Sequence, residues 1–313
     1  MMNNESVGDI SGMINSLPHI RTNPLGSYSP AMADTQTGNL PRTAHKYLEP
    51  LHTTVYFVPE GGERYEAAGV RGGMRGYFAS RSAALGIVPA EVVIATFYNF
   101  SPALVRKAIP SCWENTTPEA MLAARLDVVD ASWQRMLGEA VLKSDEMTEA
   151  AALAREAATA IADEIEGRPL YAAHASLPWP EPEHLQLWHA TTLLREHRGD
   201  GHLAALVLAG LSGLEASVSY VTYGSAMNEE LQRSTRGYSE EEWAQGKLDL
   251  RDKGVFDADN NFTDFGRRQR EDMEAQTDAA AATPYRHLGE ERTARLIELV
   301  RPWSRSMMKQ IFG

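Results

Sequence analysis

Three groups of side chains have types and spacings suited to chemistry. The densest is His197-Arg198-Gly199-Asp200-Gly201-His202. Two imidazoles and a carboxylate so close together are ligand types that suit a divalent metal, and Arg195 or Arg198 is suited to holding an anionic group. This predicts a metal or small-molecule pocket at the junction of two helices, with the metal itself left open. The same residues also read as helix punctuation. His197 would complement the carboxyl end of one helix, Gly199 would stop it, and Asp200 would cap the next. The spacing is not His-Glu-x-x-His, so no hydrolytic zinc motif is matched. A second group sets His52 and Tyr56 near Glu60, with Arg71, Arg75 and Arg81 in the glycine-rich stretch that follows. It reads as an aromatic, basic pocket for an acidic or aromatic ligand, or as a core histidine packed on tyrosine with arginines paired to carboxylates. The candidate ligand-binding residues are therefore His52, Tyr56, Arg71, His197, Asp200 and His202. The glycines match neither a phosphate loop nor a dinucleotide fingerprint, so no cofactor is expected. No catalytic triad can be assigned, and no residue is singled out as catalytic.

The third group is basic: Arg233, Arg236, Lys247, Arg251, Arg267, Arg268 and Arg270. These residues suit contact with nucleic-acid phosphate if the elements around them place them on one face. Ser239-Glu240-Glu241-Glu242 is a capping box opening a helix, and Gly254 is its left-handed stop. Asp257-Ala258-Asp259-Asn260-Asn261 is turn chemistry between short extended pieces at 254–256 and 261–263. Thr263 or Asp264 caps the next helix. Helix, hairpin and helix in that order predict a winged helix-turn-helix. The charge is less favourable to DNA. Within 231–270 the basic residues, with Lys253, number eight and the acidic ones eight, and three glutamates crowd the end that would meet phosphate.

The stretches Glu49-Pro50-Leu51-His52, Gly69-Val70-Arg71-Gly72, Gly76-Tyr77-Phe78-Ala79-Ser80-Arg81 and Leu193 to His202 resemble a bacterial helix-turn-helix family grouped by fold. The resemblance covers position 42 to the C-terminus. Phe262-Thr263-Asp264-Phe265-Gly266-Arg267 is similar to the Leu-Thr-x-x-Gly-Arg run after the wing of MarR-type regulators, with Phe in place of Leu. That likeness implies a dimeric, ligand-responsive DNA-binding protein paired through its terminal helices, here the end carrying Trp303, Met307, Met308 and Phe312.

The elements around these groups are helical. The chain has 313 residues, 43% hydrophobic and 23% charged, with net charge −12. Leu122, Leu126, Val129, Trp133 and Leu137 recur at helical period, and an Ala-rich helix follows Ser144. The fold class expected is mostly α: two helical bundle halves, with a winged helix-turn-helix and its short β-hairpin wing in the C-terminal half. The expected organisation is a disordered tail (1–41), an N-terminal helical domain (42–166), a Pro-rich linker (167–182) and a C-terminal helical domain (183–313) containing the winged helix (214–282). No apolar run approaches the roughly 18 residues of a membrane span. The single Cys112 excludes an intrachain disulfide and fits a reducing cytoplasm; it reads as a buried, inert thiol. The reading taken forward is a cytoplasmic homodimer that binds double-stranded DNA and responds to a small molecule. The alternative is a ligand-binding protein or enzyme in which the winged helix is only scaffold.

Overall fold

The computed structural model describes residues 39–224 and 228–313; the expected tail lies outside them apart from its last residues. Asn39 caps the first helix, its side chain accepting the Arg42 amide at 3.1 Å. Helix α1 (Leu40–Phe57) then runs through His52 and the β-branched residues beyond it. Two short helices follow, α2 (Glu60–Ala67) and α3 (Gly73–Ser82). The glycine-rich stretch is thus partly helical. Gly76 is required there, because a Cβ would stand 3.0 Å from the Tyr65 ring.

Helices α4 (Ala90–Phe97), α5 (Pro102–Ala108) and α6 (Pro118–Leu137) come next. Thr117 caps α6 by accepting the Ala120 amide, with proline at the first helical position, where its missing N–H costs nothing. A single turn, α7 (Glu139–Leu142), leads to the Ala-rich α8 (Asp145–Thr159), capped by Ser144. After α9 (Pro169–Ala175), the long α10 (Glu183–Leu208) crosses the molecule. Helix α10 passes unbroken through Gly199, so that residue is not a stop and Asp200 caps no helix of its own. The C-terminal part contains α11 (Gly213–Thr222), α12 (Glu229–Arg236), α13 (Glu240–Asp252), α14 (Asp264–Ala280), α15 (Thr283–Leu288) and α16 (Glu290–Phe312).

Two hydrophobic clusters hold these helices. The larger takes residues from Ala44 to Met307, including Leu170, Tyr171 and the first half of α10. Its packing therefore continues across the Pro-rich segment at 167–182. The smaller joins Ala205, Leu206 and Leu211 to Val218, Tyr238, Trp243, Leu250, Phe256, Phe262 and Met273. Helix α10 belongs to both. Helix α16 lies along α1. Met307 is fully buried, Trp303 packs on the larger core, and the Phe312 and Phe57 rings are 5.1 Å apart. This terminal stripe thus packs on its own chain.

The capping box of α13 is present: the Ser239 amide donates to Glu242 at 2.7 Å, and the Glu242 amide donates to the Ser239 hydroxyl at 3.1 Å. The wing is not. Among the described residues there is no β-strand, and Phe256 and Phe262 make one isolated antiparallel bridge. The expected winged, MarR-like architecture with its short β-hairpin is corrected accordingly. The backbone groups a ladder would need are already engaged. The Val255 and Phe256 amides both bond back to the Leu250 carbonyl at the end of α13. The Asp257 carboxylate takes the amides of Asp259 and Asn261, and the Thr263 hydroxyl is committed to capping α14. Two backbone bonds remain across the loop, Asp257 N–H to Asn261 and Thr263 N–H to Val255.

Candidate functional site

Four helices of the larger core bring charged and aromatic side chains into its interior. Helix α1 supplies Glu49, His52 and Tyr56; α3 supplies Tyr77 and Arg81; α6 supplies Arg125; α10 supplies Trp188, Thr192, Arg195 and Glu196. Arg125 is only 2% exposed. It is interior because Met121, Ala124, Val128, Val129 and Ser132 form the buried face of α6 around it. That placement is the signal in the sequence: an arginine standing at helical period among apolar residues.

The ion pairs run in series. Arg195 Nε reaches both Glu49 oxygens at 3.1 Å, and Arg195 Nη1 donates to Glu196 at 2.6 Å. Arg81 meets Glu196 at 3.6 Å and donates to the Tyr77 hydroxyl at 3.0 Å. Burial opposes the Glu196 charge, yet the Arg195 and Arg81 guanidiniums outweigh it and bring the carboxyl down to about 2. Burial pushes the Glu49 carboxyl upward, while Arg195 opposes this.

Arg125 differs from the other two arginines. Among the described residues no carboxylate lies within ion-pair distance of it. Its Nη2 donates to the Tyr56 hydroxyl at 2.9 Å, and its Nε and Nη1 are buried without a hydrogen-bond partner. The guanidinium stands 5.2 Å from the centroids of both Tyr56 and Trp188. The adjacent polar chain has one consistent proton arrangement, assigned from the network. The Tyr56 hydroxyl accepts from Arg125 and, with the Thr192 proton committed to the Trp188 carbonyl, donates to neutral His52 Nε2, 3.1 Å away. His52 Nδ1–H then donates to Thr192 Oγ1 at 2.9 Å, and Thr192 donates to the Trp188 carbonyl at 3.0 Å. His52 is neutral in this scheme. Burial, reinforced by Arg195 and Arg125, pushes its pKa well below the ordinary imidazole value.

The structure separates the candidate ligand residues. His52 and Tyr56 are in direct contact at this interior site. Arg71 is exposed and paired with Glu66 at 2.9 Å. His197, on another face of α10, bonds Glu164 at 2.9 Å and packs edge-on to Tyr171. Asp200 accepts the Tyr171 amide at 2.9 Å, and burial raises its carboxyl to about 6. His202 bonds Thr277 at 2.9 Å. Among the described residues no group of three or more histidine, cysteine, aspartate or glutamate side chains is arranged to hold a metal. Cys112 is buried, and burial pushes its thiol up to about 12.

The basic residues of the C-terminal part are mostly engaged within the chain. Arg233 pairs with Glu240 at 3.0 Å and Lys247 with Glu229 at 2.7 Å. Arg270 is buried against Glu274 at 2.7 Å. Arg251 donates to Asn260 at 3.0 Å, and Arg236 is turned inward over Phe100. Arg267 and Arg268 are exposed. Without a wing, and with these pairings, the expected winged-helix DNA-binding regulator is not the architecture present.

Helices α11 to α14 and the end of α10 pack around the smaller core of an all-helical molecule. The chain belongs to a helix-turn-helix family whose model matches residues 41–312. No curated protein and no solved structure matches it. Among the described residues no single helix is long and apolar enough to cross a membrane.

Proposed function

We propose that this protein binds a small anion at the interior cluster of Arg81, Arg125 and Arg195, beside His52, Tyr56 and Tyr77, and that it acts as a ligand-binding protein in a reducing cytoplasm. The observation carrying this reading is Arg125, a buried guanidinium with two unpartnered nitrogens, Nε and Nη1, and no carboxylate. A buried charge without a counter-charge is costly, by several kcal/mol on the order given by effective desolvation penalties. Buried polar atoms without partners are uncommon in folded proteins. An anion accepting from Arg125 Nε and Nη1 would supply both the charge and the hydrogen bonds. The aromatic rings suit a flat organic acid. The buried thiol of Cys112 fits the cytoplasmic placement.

The test is thermal unfolding of the full chain at low ionic strength with benzoate, phthalate, phosphate and sulfate, on wild type and Arg125→Met. At least one anion raises the wild-type Tm, and Arg125→Met loses that response. The reading is overturned if none of the four stabilises wild type, or if the variant responds undiminished.

A further inference from the structure

Besides α10, which both hydrophobic clusters share, a small contact joins the α4–α5 region to the helices of the smaller core. Tyr98 donates its hydroxyl proton to the Leu211 carbonyl at 2.5 Å. The Ser101 amide donates to the carbonyl of Arg236, the last residue of α12, at 2.8 Å. Gly237, at φ +76°, fits against Leu104, where a Cβ would stand 2.8 Å from that side chain. These contacts turn the Arg236 side chain toward the larger core. Its guanidinium lies 4.7 Å from the Phe100 ring centroid. Phe100 is 5.4 Å from Tyr77, the residue that accepts from Arg81.

Arg236 therefore brings a fourth guanidinium to the aromatic edge of the cluster, where Arg81 and Arg195 are among the charges that act on it. Against Arg81, Arg125, Arg195 and Arg236 stand two ion-paired carboxylates, Glu49 and Glu196. With both ionised, the excess is two positive charges. Among the described residues Arg236 has no carboxylate within ion-pair distance, and its Nε is buried without a partner. Burial lowers its pKa, and the neighbouring charges of Arg81 and Arg195 add to that effect. A backbone hydrogen bond, a ring face and a glycine contact thus hold α12 in place against like-charge repulsion.

We propose that Arg236 is an anion-binding residue delivered by the second packing unit, so that a ligand with two negative charges bridges the units and tightens α12 and α13 onto the bundle. This rests on the anion reading above. By linkage, a ligand favours whichever arrangement it binds more tightly. A dianion that removes the repulsion at Arg236 therefore favours the closed packing, while a monoanion satisfied at Arg125 does not.

The experiment compares phthalate with benzoate on the full chain by thermal unfolding and by hydrogen–deuterium exchange of peptides covering 229–252. Wild type is stabilised at least twice as much by phthalate as by benzoate, and phthalate slows exchange across 229–252 several-fold. Arg236→Gln responds to both anions alike, with no change in exchange. Arg236→Lys, which keeps the charge should the Gln variant fail to fold, retains the preference for phthalate. The inference is overturned if phthalate stabilises wild type while exchange at 229–252 stays the same, or if Arg236→Gln keeps the full preference. If none of benzoate, phthalate, phosphate and sulfate stabilises wild type, the anion reading itself falls; if phosphate or sulfate does while phthalate does not, the bridging inference alone is overturned.

Discussion

The Tyr56 hydroxyl accepts a hydrogen bond from Arg125 at 2.9 Å while its ring stands 5.2 Å from the same guanidinium. One side chain thus meets the buried cation through both its oxygen and its π-face. Because the Thr192 proton is committed to the Trp188 carbonyl, His52 Nδ1–H donates to Thr192 and neutral Nε2 accepts from the Tyr56 hydroxyl. The network stabilises a cation without neutralising it. Two guanidinium nitrogens and a full charge remain for something else.

Arg125→Met separates a structural cation from a binding one. If Arg125 served only the fold, truncating it would cost several kcal/mol, as for a broken buried ion pair. Because the charge has no carboxylate partner, its desolvation offsets the hydrogen bond to Tyr56 and the two ring contacts. The variant is expected within about 1 kcal/mol of wild type without anion. Urea unfolding at pH 7 measures this, and a loss above about 3 kcal/mol would place Arg125 among purely structural groups.

Glu196→Gln has the opposite outcome. Glu196 is 2% exposed and sits between Arg81 and Arg195. Its removal leaves the Arg81 guanidinium without its carboxylate in the interior. A destabilisation of about 3–5 kcal/mol is expected, the usual cost of removing one partner of a buried pair. The contrast between the two variants in one denaturation series checks the charge assignment, because equal effects would contradict it.

How much of this was legible in the sequence depends on how locally each feature is encoded. The Ser239 capping box and the Thr117 and Ser144 caps were legible because each spans only a few residues. The wing was misjudged because turn chemistry at 257–261 specifies a reversal but not what its flanking amides bond to. Here they bond back into α13. His52 and Tyr56 stand out in the sequence as near neighbours, but the helix that makes their spacing one turn does not, because residues 52–58 are β-branched and aromatic. Arg125 is not marked locally, because it lies 69 positions from its tyrosine partner; only its place on the apolar face of α6 distinguishes it. The His197–His202 cluster misled because compactness in sequence was taken for convergence. On one continuous helix the two imidazoles address different neighbours, Glu164 and Thr277.

Gly199 and Gly201 test that last point directly. Both lie inside α10, where glycine costs roughly 0.5–1 kcal/mol relative to alanine. At Gly199 a Cβ would meet only a Glu196 oxygen, at 3.7 Å, so Gly199→Ala is expected to stabilise by about that amount. At Gly201 a Cβ would stand 2.9 Å from the Ala280 Cβ and 3.0 Å from Arg168 Nη1. There α14 crosses closely, and Arg168 donates to the carbonyls of His197 and Ala280. Gly201→Ala is expected to lose about 1–3 kcal/mol through overpacking. Melting curves that rank the two variants in the reverse order would contradict a continuous α10.

Acid sensitivity follows from the buried histidines. Burial, the largest cause in each case, lowers His174, His189, His197 and His202 to about 4. In the unfolded chain each titrates near 6.5, so between pH 6.5 and 4 the unfolded state binds more protons than the fold. Stability is therefore complete above about pH 6.5 and is lost as pH falls through that window. Asp200 acts in the other sense. With its carboxyl raised to about 6, the fold binds the extra proton, and its contribution grows as pH falls from 6 toward the ordinary aspartate value. One carboxyl is outweighed by four imidazoles, so a net fall of about 10 °C or more in Tm is expected between pH 7 and pH 5. Tm recorded across pH 4.5–8 at constant ionic strength checks this. A maximum at or below pH 5 would mean that these imidazoles are charged in the folded protein, and the neutral His52–Tyr56 arrangement beside Arg125 would have to be reassigned with them.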